Sequence, residues 1–271
     1  MKKRVIAAAV LLPLLLLVVL VLPKIFTGIL FGLMAALGAY ELLHGTGLVK
    51  QTRLIIYAMV MAFLVSLWSY LWAQPALARL GILAFTCLLF AELLLSKAKL
   101  PFTTLAVTFV AGVLVPFLLC APVRIHSWNG GRYYILLPFV IAFLSDTGAY
   151  FAGRAFGKHK LAPIISPNKT IEGVIGGVVG AIVGVLIYCV VLQKAFHFEV
   201  RYLYVLPYGI LGSFGAVFGD LCFSAVKRQT GIKDYGNLIP GHGGILDRFD
   251  SMTVVAPLVE LLMLFIPLVV K

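Results

Sequence analysis

Apolar residues in this chain run in blocks of about twenty, broken by short clusters of Pro, Gly and charged side chains. A bilayer core about 30 Å thick needs roughly 20 apolar residues per helix, so each block is long enough to cross one. The pattern predicts nine membrane helices, at approximately 4–22, 25–45, 54–73, 77–96, 102–121, 133–154, 171–192, 203–227 and 252–270. The expected fold is therefore all-α and polytopic. The first block follows Lys2, Lys3 and Arg4, but it is long for a signal peptide and no A-x-A-like cleavage site follows, so it reads as a first membrane helix.

Composition agrees with a bilayer. A mean hydropathy of +1.08 and a charged fraction of 12% leave too little polar surface to face water on all sides. Of the 22 basic residues, 15 fall on the side of the N-terminus in a nine-helix topology and 7 on the other, which places the N-terminus and the polar segments 155–170 and 228–251 in the cytoplasm. The formal charge of +12 contains no basic block of the kind that binds nucleic acid, and is suited instead to anionic lipid headgroups or a phosphorylated substrate. Cys87, Cys120, Cys189 and Cys222 stand singly in apolar runs, without metal or disulfide spacing.

The two ends of the chain differ. Residues 1–100 are mostly Leu, Val, Ala and Phe and read as scaffold helices; 101–271 hold most of the chain's polar chemistry and read as the working region of one continuous membrane domain. Gly176, Gly180 and Gly184 recur every four residues, marking a helix face where backbones can approach closely. Glu41 and Glu92 each stand without a neighbouring charge in sequence and read as structural carboxyls or groups with a local role. His44, His126, His159 and His197 lack metal-ligand spacing.

Charge placed within membrane helices is costly and points to function. Asp146, Tyr150 and Arg154 fall at i, i+4 and i+8, so they share a helix face, with Asp146 about 12 Å from the end that Arg154 marks. Asp220, Ser224, Lys227 and Arg228 repeat that arrangement. The plain structural reading is an ion pair within each helix. The stretch from Ser224 to Ser251, SAVKRQTGIKDYGNLIPGHGGILDRFDS, asks for more. Asp220, Asp234, Asp247 and Asp250 are hard oxygen donors of the type that hold Mg²⁺. Lys227, Arg228, Lys233 and Arg248 are phosphate donors, and the glycines of PGHGG bring backbone N–H groups within reach of an anion. No Walker loop or G-x-G-x-x-G is present. These residues describe a membrane enzyme of phosphoryl or nucleotidyl transfer at the cytoplasmic face; spacing alone identifies neither base nor acceptor.

The pattern S-x-V-K-R-x4-K-D-x-G-x2-I-P-x-H-G-G-I-x-D-R-F-D, from Ser224 to Asp250, resembles the signature of the phosphatidate cytidylyltransferases. SDTGAYFAGRAFGKHK at 145–160 and SPNKTIEG at 166–173 resemble the same family, with Asn168 where many members carry lysine. The resemblance implies transfer of CMP from CTP to phosphatidate, giving CDP-diacylglycerol and pyrophosphate, by a dimeric Mg²⁺-dependent protein of the bacterial inner membrane. It implies Asp220 and Asp247 as ligands of a paired-cation centre. Asp146 and Asp250 are then expected as further ligands or supports. Lys227, Arg228, Lys233 and Arg248 are expected to hold the triphosphate and lipid phosphate. Ser166, Lys169 and Thr170, ordered by Glu172, form the opposing wall, with His242, Gly243 and Gly244 at the nucleotide. A CTP-dependent lipid-alcohol kinase would use similar groups, and a transporter of a phosphorylated solute is the reading from another class.

Overall fold

A computed structural model of the chain describes residues 13–71, 74–238 and 243–270. Among these, seven helices are long and apolar enough to cross a membrane. They are α1 (Lys24–Tyr40, continued by a π-helical turn at Glu41–Gly45), α2 (Thr52–Tyr70), α3 (Pro75–Leu95), α4 (Phe102–Leu119), α5 (Leu137–Phe156), α6 (Ile171–Phe196) and α7 (Val205–Gln229). A four-residue helix α8 (Leu246–Phe249) and a final helix α9 (Met252–Phe265) follow.

The all-α membrane architecture is as the hydropathy pattern predicts, but the count of nine is not reproduced. Much of the first expected span lies outside the described residues, which show helix at 13–20. The last, expected over 252–270, is a helix of 14 residues with Pro257 inside it, about 21 Å long. Beyond α9 the chain turns extended, and Val269–Val270 (β4) pairs antiparallel with Glu199–Val200 (β3).

The chain divides into two compact units. The first holds the described residues up to Asn129 and Lys227–Phe249. Its centre is apolar: Phe31, Leu43, Leu54, Ala58, Val65 and Leu119 are almost wholly enclosed. Ser66 and Arg124 show how polar groups in this core are satisfied, as burial demands. Ser66 donates to the Gly28 carbonyl at 2.7 Å, and buried Arg124 donates to the Phe117 carbonyl at 2.7 Å while stacking over that ring. Helix α3 turns most of its surface outward, with Leu80, Leu83, Leu94 and Leu95 exposed. Apolar surface of this kind is what lipid-facing helices present.

The second unit holds Gly130–Val226 and the described residues from Asp250 on. Helices α5 and α6 form its tightest contact, and the glycine face anticipated from sequence is what permits it. A Cβ on Gly180 would lie 2.4 Å from the Leu144 carbonyl oxygen, and one on Gly148 would lie 2.3 Å from that of Gly176. Between these helices the polar segment is not an open loop. It forms a hairpin of β1 (Lys160–Ala162) and β2 (Ser166–Thr170), pairing Lys160 with Thr170 and Ala162 with Ser166. Thr170 ends β2 and starts α6: its hydroxyl accepts from the Gly173 N–H at 3.1 Å, an N-cap.

Candidate active site

In the second unit the hairpin directs Lys169 to Asp220 on α7, with Nζ 2.7 Å from Oδ2. Ser224, one turn further along α7, donates to the other carboxylate oxygen at 3.0 Å. Asp146 on α5 interacts electrostatically with both Lys169 and Asp220. Thus Lys169 and Asp220 from two elements meet as an ion pair, with Asp146 of a third element within their electrostatic reach, and all three keep some exposure. Spacing suggested pairing within single helices, but Asp220 and Lys227 each find an ion-pair partner outside α7. Asp220 takes Lys169 as its ion-pair partner, and Arg154 donates to Tyr150 at 3.0 Å.

Other expected wall residues have local duties. Thr170 caps α6. Glu172, in the first turn of α6, accepts from the His159 ring at 2.6 Å and from the backbone N–H groups of Lys158 and His159, which ties down the start of the hairpin. Ser166 is half-buried on β2. Asp250 is buried, and its Oδ1 accepts from the Ser251 N–H at 2.7 Å and hydroxyl at 3.2 Å at the entry to α9.

In the first unit the signature segment is organised around carboxylates. After α7 the chain turns at Gly231, whose φ of 72° lies in the left-handed region. Tyr235 is then buried, and its N–H donates to Asp247 Oδ2 at 2.7 Å. The Gly244 N–H donates to the same oxygen at 3.0 Å. Lys227 Nζ donates to Oδ1 at 2.8 Å and lies 5.4 Å from the centre of the Tyr235 ring. The Asp247 side chain is only 3% exposed and that of Lys227 11%. Gly243, with φ 88°, turns the chain beside Asp247. Arg228, Lys233, Asp234 and Arg248 lie on the surface of this segment. His242 lies outside the described residues.

Sequence reasoning passed over Glu41 as a site residue. Its carboxylate is buried at the π-turn that ends α1 and accepts from the N–H groups of Ile245 and Leu246, both at 2.9 Å. The one available signal was an isolated acid at the edge of an apolar block. The partners lie some 200 residues away in sequence, beyond any local pattern. Glu92, the other isolated acid, accepts from Tyr57 at 3.2 Å and faces Arg53 at 3.3 Å, a local structural arrangement.

Among the described residues no three His, Cys, Asp or Glu side chains group closely enough to enclose a metal ion. Mg²⁺ does not require such a cage, because it keeps waters and takes one or two carboxylates plus substrate phosphates. The oxygens of Asp220, with the Ser224 hydroxyl beside them, fit that modest requirement.

Membrane-length helices that bring aspartate, lysine and serine together in partly open polar groups belong to an integral membrane protein equipped for phosphate chemistry. The match to known proteins is consistent with that class. The chain belongs to the cytidylyltransferase family, whose model matches residues 2–266. It is 42% identical over 187 residues to a phosphatidate cytidylyltransferase of Staphylococcus haemolyticus, covering 68% of each chain. Against proteins of the same name it is 40% identical over 195 residues in Staphylococcus epidermidis, covering 71% of this chain and 72% of the relative, and 39% identical over 186 residues in Staphylococcus saprophyticus, covering 68% of each.

Proposed function

We propose that this protein transfers the CMP moiety of CTP to phosphatidate, releasing pyrophosphate and forming CDP-diacylglycerol for phospholipid synthesis. The observation that carries the reading at the level of geometry is the Lys169–Asp220 pair, which sets the ammonium of a hairpin lysine against a carboxylate of a membrane-length helix, with the Ser224 hydroxyl beside it. Membership in the cytidylyltransferase family supports nucleotide transfer, and the names of the relatives support phosphatidate as acceptor.

In this reaction a phosphate oxygen of phosphatidate attacks the α-phosphorus of CTP, and the bond from that phosphorus to the bridging oxygen of pyrophosphate breaks. The nucleophile is already anionic at neutral pH, so no strong general base is needed. Bringing two polyanions together and stabilising charge on the leaving group are the main tasks. Lysines suit both. Lys169 and Lys227 are held in place by Asp220 and Asp247, so each ammonium is positioned before a phosphate arrives. Mg²⁺, when bound, would supply positive charge against the phosphates. Asp220 and Asp247 are its proposed protein ligands, with Asp146 and Asp250 as further oxygen donors and a second cation as part of the proposal. Asp247 accepts from Lys227, Tyr235 and Gly244, so these donors would orient its carboxylate as a ligand. Arg228, Lys233 and Arg248 complete the proposed phosphate-binding set. The proposed setting is a homodimer in a bacterial inner membrane with this chemistry on the cytoplasmic side.

Incubating detergent-solubilised protein with labelled CTP, phosphatidate and Mg²⁺ should yield CDP-lipid and pyrophosphate, and Asp220→Asn should abolish the reaction. Phospholipid plus CDP as products would overturn the transfer reaction in favour of a kinase. Substantial turnover by a folded Asp220→Asn protein would overturn the role given to that carboxylate.

A further inference from the structure

The π-turn at Glu41–Gly45 widens the end of α1, and turns of this kind are frequent at functional sites. Here it meets the signature segment at unusually close range. A Cβ on Gly45 would lie 2.3 Å from the Tyr235 carbonyl oxygen, and one on Gly236 would lie 2.8 Å from Glu41 Oε1. A Cβ on Gly244 would lie 2.5 Å from both carboxylate oxygens of Glu41. The close approach of Gly244 is what lets Glu41 reach the N–H groups of Ile245 and Leu246. These amides precede or open α8, so the carboxylate from α1 satisfies donors that this short helix cannot satisfy itself.

Asp247 is the other anchor of the same segment, accepting from Tyr235 and Gly244. Four backbone N–H groups are therefore shared between two carboxylates, and only one of these belongs to the segment. Glu41 is 5% exposed, and nothing in its arrangement brings it to solvent or substrate. Its two oxygens fix the backbone immediately before Asp247 and Arg248, and so fix where those side chains point.

We propose that Glu41 is a positioning residue for CMP transfer: by holding the Ile245 and Leu246 amides it sets the Gly243–Arg248 turn, and with it Asp247 and Lys227, in the orientation that receives phosphate. The inference rests on the cytidylyltransferase reading above, and the wild-type assay separates the two. Failure of wild type to form CDP-lipid defeats that reading, whereas an active wild type matched by an equally active Glu41 variant defeats this inference alone.

The test uses full-length protein in detergent with four variants: Glu41→Gln, Gly244→Ala, the double variant, and Glu92→Gln as a buried carboxylate that does not touch the segment. Glu41→Gln turns one accepting oxygen into an amide facing an N–H donor. We expect it to lower kcat/KM about ten- to hundredfold, the effect of losing one charge-assisted hydrogen bond. Gly244→Ala pushes on the same carboxylate, so the double variant should lose little more than the worse single one. Hydrogen exchange should rise in peptides spanning 243–249 and stay unchanged in α2 and α3. Glu92→Gln should keep turnover within about threefold of wild type, since its partners are Tyr57 and Arg53 and not the signature segment. Equal losses in Glu41→Gln and Glu92→Gln, multiplicative losses in the double variant, or exchange that rises throughout the first unit would each reduce Glu41 to a general packing residue and overturn the proposal. Should Glu41→Gln fail to fold, Gly244→Ala and the exchange measurement decide the matter by the same criteria.

Discussion

Lys227 and Asp247 form an enclosed charge pair in the signature segment, and their separation should be expensive. At 2.8 Å and an effective dielectric of about 20 the gross attraction is about 6 kcal/mol. Desolvation offsets much of it, and removing one partner of such a pair typically costs about 3–5 kcal/mol because the other charge is stranded. The two ends are not equivalent. Lys227→Met leaves Asp247 its hydrogen bonds from Tyr235 and Gly244. Asp247→Asn strands an ammonium and also presents an amide group where acceptors are needed, so it should be the more damaging change. Unfolding of detergent-solubilised protein, followed for wild type, both single variants and the double, isolates the pair. We expect a coupling of at least about 1.5 kcal/mol, the lower range for a hydrogen bond to a charged group. Single-variant losses that add to within about 0.5 kcal/mol would show that the pair is not coupled and would refute the argument. CDP-lipid formation measured on the same samples should stay low in the double variant even where stability is regained.

Two further expectations concern the second unit. Gly180→Ala should cost about 1–3 kcal/mol and loosen α5 from α6, because the added carbon meets the Leu144 carbonyl, a backbone atom that cannot rotate away; Val179→Ala, on the exposed side of α6, should change the unfolding midpoint little. Thr170→Ala should cost about 1 kcal/mol through loss of the α6 cap, and Thr170→Ser should restore it, as read by the unfolding midpoint.

Hydropathy made most of the fold legible because one physical requirement dominates: a backbone crossing lipid must satisfy its own hydrogen bonds over a fixed length. Seven helices of membrane length follow directly from that rule. It is weaker at the end of the chain, where apolar residues continue past Phe265 although the helix does not. An apolar run reports burial or lipid contact, and a short strand meets that description as well as a helix. The hairpin before α6 was hidden for another reason. Its strands have three and five residues, include Pro167, and lie in a polar stretch without alternation. What makes the hairpin is long-range support, chiefly Glu172 holding the Lys158 and His159 amides.

The site was legible in its ingredients and illegible in its pairings. Helical spacing makes Lys227 and Arg228 the obvious partners of Asp220, since both follow it on one face. Yet Lys227 is drawn to Asp247 when the signature segment closes, and Asp220 takes Lys169 from the hairpin instead. Local spacing ranks only the partners that share a helix, whereas folding offers every cation the chain can bring near. The same logic accounts for Glu41. A lone acid in an apolar block has no local partner to display, and for that reason its burial has to be supported from elsewhere in the chain. Donors free of their own helical bonds, at the start of a four-residue helix, are well suited to give that support without introducing a second charge. An isolated carboxylate in a membrane helix therefore carries information of its own: it predicts a donor from another element, which is a tyrosine and an arginine side chain for Glu92 and backbone amides of the glycine-rich signature for Glu41.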